Sequence, residues 1–271
     1  MEVVAIKSAN AVLSFLERYS YATLPKALWD HYLWLYNCLL DPLSSVITGY
    51  ESEQLTFFLV LENGSEVGAA YARYSVNGFD LFVDALDYCA LEALTEYLQK
   101  EGYALKSVSL RNESFAYRFI ETSSQFELVE AVHQYFIEAP LPFEENPMVR
   151  ELSGADVCLF DASGGWPEFP DCISEGLRYF GYVRDGVCIS VAGIARLTRF
   201  RSEIIGVGTL FESQRRRGYA RAVCAKAIAE ALRDTTICTW TANCANTASN
   251  ALAKSLGMQL YNSRFVFEKR S

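Results

Sequence analysis

The chain repeats itself. Around Asn63-Gly64 the run FFLVLENGSEVGAAYARY places two largely apolar stretches on either side of an Asn-Gly pair. Asn-Gly favours the positive φ angles of a tight hairpin turn, so this run predicts two paired strands. Around Asp185-Gly186 the run YFGYVRDGVCISVAGIARL makes the same statement with Asp-Gly at the turn. The elements after each hairpin also agree in order. In the first half, 79–86 is an apolar strand and 88–101 has helical spacing, with Ala90, Leu91, Leu94 and Leu98 on one face and Gly102 as its stop. A strand at 105–110, a short helix at 114–122 and an extended finish at 126–137 complete it. In the second half the matching elements are a strand at 203–211, a helix at 218–233, a strand at 237–241, a short helix at 247–256 and an extended finish at 258–268. Short opening strands at 2–7 and 148–153 precede a helical stretch in each half. The order predicts a mixed α+β sheet protein built twice, and the helical run at 21–52 is an insertion particular to the first copy. The join falls near residues 139–147, where Pro140, Pro142 and Pro147 interrupt a segment without hydrophobic periodicity. The expected domains are therefore 1–140 and 141–271.

Composition narrows the function. With 271 residues, 51% hydrophobic and 21% charged, the chain can bury two ordinary cores. A net charge of −9 argues against a nucleic-acid or anionic-membrane partner for the whole molecule. No apolar run reaches the ~18 residues of a bilayer span, and no secretory signal opens the chain. Eight cysteines occur without a CxxC pair, and the two histidines, His31 and His133, lie far from any paired cysteines, so no metal site is expected. These features predict a reduced, cytoplasmic protein, either monomeric or homodimeric.

One segment carries chemistry. In GVGTLFESQRRRGYAR, residues 206–221, an apolar strand runs into Arg215-Arg216-Arg217-Gly218-Tyr219-Ala220, which opens a helix. The first turn of a helix offers unpaired N–H groups and the positive end of the macrodipole, so it binds phosphate. Gly218 lets that backbone approach an anion closely, and Arg215, Arg216, Arg217 and Arg221 make the entrance cationic. The pattern Gln/Arg-x-x-Gly-x-Gly/Ala resembles the acetyl-CoA pyrophosphate loop of the GNAT N-acetyltransferase superfamily. The stretch WTANCANTASNALAKSLGM, residues 240–258, is similar to that family's Asn-containing segment, with Asn246 at the asparagine, Ser249 three on and Gly257-Met258 at the close. The opening at 148–156 resembles the family's first strand and helix start. The junction at 83–90 in the first half has neither glycine nor arginine and presents Asp84 and Asp87 instead, so that copy reads as degenerate, without cofactor.

The resemblance implies tandem GNAT-like folds and an acetyl-CoA-dependent transfer to an amine acceptor by direct attack on the thioester. It places pyrophosphate against Arg215 to Arg221, with Tyr219 and Ala220 at the helix start. Pantetheine then runs along Gly208, Thr209 and Leu210, and Asn246 and Ser249 flank the cofactor arm, where Asn246 can equally cap its helix. An oxyanion donor is expected at or near the Leu210 N–H. Glu203 is the first candidate for general base and Glu175 the second. The family's usual tyrosine, seven residues after the asparagine, is Ala253 here. The leaving thiolate is then protonated by Tyr261, Ser249 or water, or departs unprotonated. Cys224 and Cys244 flank the site without a histidine nearby in sequence, so a cysteine relay is not expected. Aromatic residues at 29–36 or 166–169 are candidates to line the acceptor side. A longer acyl-CoA, or a non-catalytic CoA-binding scaffold, are the competing readings.

Overall fold

The computed structural model describes residues 1–6, 55–75, 78–85, 88–111, 113–197 and 200–270. The expected 21–52 helical stretch and the aromatic residues at 29–36 lie outside the described residues, as does Asp87. The chain divides into two compact units, Met1–Val132 with Asn262–Ser271, and His133–Tyr261.

The first unit contains β1 (Glu2–Ile6), β2 (Leu55–Glu62), β3 (Ser65–Ser75), β4 (Gly78–Ala85), helix α1 (Tyr88–Lys100), β5 (Leu105–Leu110), α2 (Glu113–Thr122) and the start of β6 (Phe126–Ile137). The β2–β3 turn places Asn63 and Gly64 at φ 52° and 79°, the doubly positive geometry that Asn-Gly favours. Helix α1 buries Ala90, Leu91, Leu94 and Leu98, the face its spacing predicts. Gly102 ends it at φ 81°, and the Tyr103 N–H closes the motif on the Leu98 carbonyl at 2.9 Å. Strands β1 to β5 lie in chain order, with β4 and β5 parallel. The next place beside β5 belongs to the end of the chain: Phe265 to Glu268 pair antiparallel with Leu110 to Ser107. Phe267 is accordingly buried with Leu94, Val108 and Phe119.

The second unit repeats the order. It contains β7 (Val149–Leu152), a 3-10 helix (Gly154–Ser163), α3 (Phe169–Ser174), β8 (Arg178–Arg184), β9 (Val187–Arg196), β10 (Arg201–Thr209), α4 (Tyr219–Asp234), β11 (Ile237–Asn243), α5 (Thr247–Ser255) and the start of β12 (Gln259–Lys269). Its strands run β7-β8-β9-β10-β11, and the place beside β11 is taken by the end of β6. Asp185 and Gly186 adopt φ 53° and 74° at the second hairpin. No helix or strand lies between Ile137 and Val149, where the join was expected. Each unit is thus completed by a strand from the other half of the sequence.

Two cores sandwich the second sheet. On one face α4 lays Val223, Cys224, Ala227 and Ala231 against Ile204, Cys238 and Trp240, together with Tyr135 from β6. On the opposite face the 3-10 helix and α3 bring Phe160 and Phe169 over Leu152, Tyr179 and Val191.

Candidate active site

In the first unit the parallel pair β4–β5 stays paired from Phe79–Leu105 to Val83–Leu110. The equivalent ladder in the second unit is one pair shorter. Strand β10 meets β11 only from Arg201–Ile237 to Ile204–Trp240, although it continues against β9 as far as Thr209. The register with β9 shifts between Ile205 and Gly208, so β10 carries an extra residue there. A bulge of this kind bends its strand and re-aims the residues beyond it. Gly206 sits at the shift with φ 56°, and a Cβ there would stand 3.2 Å from the Tyr179 ring.

The two strands part into a cleft of about 680 Å³. Val207, Gly208 and Thr209 form one wall, Trp240 lies at the closed end, and Asn246, Ser249 and Leu252 of the α5 region form the other wall. The start of α4 closes the mouth. Gly218 precedes this helix at φ 84° with no side-chain cap, and the first internal bond runs from the Ala222 N–H to the Gly218 carbonyl at 3.0 Å. The N–H groups of Tyr219, Ala220 and Arg221 therefore have no partner within the helix, and they carry the positive end of its dipole. Arg215, Arg216 and Arg221 line the same mouth. Arg216 holds φ 62°, outside the range an L-residue prefers. Arg217 is exposed and is not part of the lining. Tyr219 packs against Tyr182 with ring centroids 4.5 Å apart and tilted by 47°, and Arg184 donates to its hydroxyl at 3.4 Å.

Asn246 is the N-cap of α5, its Oδ1 accepting from the Ser249 N–H at 3.0 Å, and the Ser249 hydroxyl accepts from the Trp240 indole at 3.0 Å. Both residues face the cleft while holding its wall together. Glu203 lies one residue before the last β10–β11 pair, and Thr241 donates to its carboxylate at 2.6 Å. It shares a face with Ile205, which packs in the Tyr179 cluster, so the carboxylate lies on the side of the sheet opposite α4 and is not among the cleft lining.

Other expected positions need correction. The Leu210 N–H already donates to the Ile189 carbonyl at 2.9 Å, so it is not an open oxyanion donor. By strand alternation the Gly208 backbone also turns to β9, and its carbonyl additionally accepts from the Ser190 hydroxyl at 2.7 Å. Thr209 is the residue of the three whose N–H and C=O point into the cleft. Tyr261 packs its ring on Phe136 at 5.8 Å and is not among the cleft lining. Glu175 is exposed at the end of α3. Ala253 is fully buried under the α4 face.

Residues 164–263 match the family model for GNAT acetyltransferases. This part of the chain belongs to that family. The GNAT domain is therefore an acyl-CoA-dependent N-acyltransferase domain, and the parted strands, bulge and uncapped helix lie inside the matched range. The chain is similar in fold to a GNAT-family acetyltransferase from Colwellia psychrerythraea, with TM-score 0.54, 14% identity and 100% of each chain covered. It is also similar to a GCN5-related N-acetyltransferase from Sphaerobacter thermophilus, with TM-score 0.52, 12% identity and 98% and 95% covered. A Drosophila protein gives TM-score 0.58 at 15% identity over 99% and 98% of the two chains. Among curated proteins, none matches in sequence.

Two features of the GNAT domain escaped sequence reasoning. Asn250 is buried, donating from Nδ2 to the Asn243 and Asn246 carbonyls at 2.9 and 2.8 Å and accepting the Tyr135 hydroxyl at 2.9 Å. Its only signal is a polar residue on the inner face of a short helix. Cys244 lies with Sγ 3.6 Å from His133 Nδ1, although 111 residues separate them. The absence of a nearby histidine in sequence thus does not hold in space. Cys224 and Cys238 are sealed in the core, where burial pushes both thiols up, Cys238 to about 12. Among the described residues, no group of three or more His, Cys, Asp or Glu could hold a metal ion. No helix among them is long and apolar enough to cross a membrane.

Proposed function

We propose that the GNAT domain transfers an acetyl group from acetyl-CoA to the primary amine of a small molecule or amino acid. The observation that carries this reading is the parting of β10 from β11 directly before the uncapped start of α4. The diphosphate binds the free N–H groups of Tyr219, Ala220 and Arg221 between Arg215 and Arg216. The pantetheine arm enters between Thr209 and the α5 wall, with Thr209 N–H and C=O pairing with its amides as an added strand would. The thioester then reaches the closed end near Trp240 and the bulge. There Glu203 accepts the proton of the attacking amine, directly or through water.

The glycine and arginines at the start of α4, absent from the junction at 83–90, support residues 141–271 as the working part, with β6 lent to their sheet, and 1–140 as a non-catalytic copy.

Calorimetric titration of acetyl-CoA into the wild type and Ala220→Glu tests the reading. A carboxylate in the first turn suits the helix dipole, so the variant folds, yet it repels a diphosphate. Saturable binding in the wild type that the variant loses supports the assignment. No binding by the wild type overturns it.

A further inference from the structure

The cleft has a floor as well as walls. The parallel ladder between β10 and β11 ends at the pair Ile204–Trp240, so Trp240 stands where the two strands part. Its indole is the one large ring at that end; the other aromatic side chain of the lining, Tyr219, is at the mouth. The indole is only 2% exposed and belongs to the core under α4, with Val223, Ala227 and Ala253. It therefore separates the end of the cleft from an apolar interior.

Two features keep this ring in place. Close-packed interiors leave a buried ring little room to move. The indole is also pinned, since Nε1 donates to Ser249 Oγ at 3.0 Å. Turning the ring aside would give up that bond in a dry setting. Ser249 is fixed in turn, because its N–H donates at 3.0 Å to Oδ1 of Asn246, the N-cap of α5. The first turn of α5 thus does two things: it lines the cleft, and it holds the ring that ends it. Whatever lies along that turn is placed at a set distance from the indole.

We propose that Trp240, pinned by Ser249, sets the length of the acyl group, admitting acetyl and excluding butyryl and longer chains; this inference rests on the acyl-transfer reading above. An acetyl methyl ends before the ring. A longer chain must push the indole off Ser249 or pull the thioester back toward the mouth, and either displaces the reacting carbonyl. A misfit of one methylene in an apolar pocket is worth about 10- to 200-fold in kcat/KM. A smaller side chain at this position would instead extend the cleft toward Val223 and Ala227, an apolar space suited to an alkyl chain.

The test compares acetyl-, butyryl- and hexanoyl-CoA in thiol release with a panel of small primary amines, and in binding by calorimetry. The wild type should prefer acetyl over hexanoyl by at least about 10-fold in kcat/KM. Trp240→Leu should raise the hexanoyl-to-acetyl ratio by about 10-fold or more. Ser249→Ala leaves the ring but removes its pin, so the ratio should move the same way by a smaller factor. It lies on half-buried surface and decides the matter if Trp240→Leu fails to fold. A wild type that uses hexanoyl-CoA as readily as acetyl-CoA, or a ratio unchanged in the folded variants, overturns the length stop and leaves the transferase reading intact. A wild type that releases no thiol with any amine overturns the transferase reading instead. The relative affinities for the three thioesters still test the stop in that case, since they need no turnover: equal affinities in wild type and variants overturn it.

Discussion

Tyr135 and Asn250 are joined by a hydrogen bond of 2.9 Å that ties β6 to the inner face of α5. Both are buried, at 0% and 7% exposure, and Asn250 also holds the Asn243 and Asn246 carbonyls. One amide thus fixes the cleft wall to the strand that borders β11.

Asn250→Ala should destabilise the protein by about 1–3 kcal/mol, because it strands a buried phenol hydroxyl and two carbonyls. Tyr135→Phe should cost about 1 kcal/mol. The double variant should cost less than the sum, since the two residues share one bond. Urea unfolding of the four proteins checks this, and strict additivity would mean that the bond carries no coupling.

Removing the Glu203 carboxylate should expose its chemical role. Glu203→Gln keeps a hydrogen-bond acceptor for Thr241 while abolishing the base. The expected result is a fall in kcat of about 10²-fold with unchanged acetyl-CoA affinity. A drop in affinity with unchanged kcat would instead make Glu203 a binding residue.

Gly193 faces a stricter limit than most glycines. Gly193→Ala pushes a methyl into the Tyr179 ring, with a 2.5 Å approach that must be relieved by moving the ring or the strand. A loss of about 1–3 kcal/mol in thermal or urea melts is expected.

Acid should act through Asp156. Its carboxyl is held below the ordinary range first by the hydrogen bond from Arg150, which donates at 2.6 Å, and further by the Ser153 N–H and hydroxyl. A depressed carboxylate stabilises the fold above its unfolded pKa of ~4 and loses that contribution as pH falls through the native value. Stability of Asp156→Asn should therefore decline less than wild type between neutral pH and pH ~3. Parallel curves for the two proteins would refute the linkage.

Cysteine reactivity separates by burial. Exposed Cys89 and Cys158 should alkylate in the native protein, whereas Cys188, Cys224 and Cys238 should resist until it unfolds. Peptide mass mapping after brief iodoacetamide treatment reads this directly.

The hairpins were legible because Asn63-Gly64 and Asp185-Gly186 encode their own turn geometry. Helices α1 and α4 were legible because each shows one apolar stripe, and the phosphate-binding start of α4 was legible because its chemistry is local. The partners of β6 and β12 were not. Periodicity tells a strand which face to bury and is silent about which edge it joins. The Leu210 assignment failed for a related reason. The extra residue in β10 shifts the alternation by one, so the N–H that an unbroken strand would turn to the cleft goes to Ile189. A bulge is a property of two strands, and one strand's sequence does not announce it.

The borrowed closing strands put the compact units out of step with the order of the sequence. Severing the chain in the proline-rich join would release a carboxy-terminal piece without Tyr135 and an amino-terminal piece without Phe267. Each would retain the edge that its counterpart needs. Neither fragment should fold as its unit does when alone; mixed together, they should restore each other.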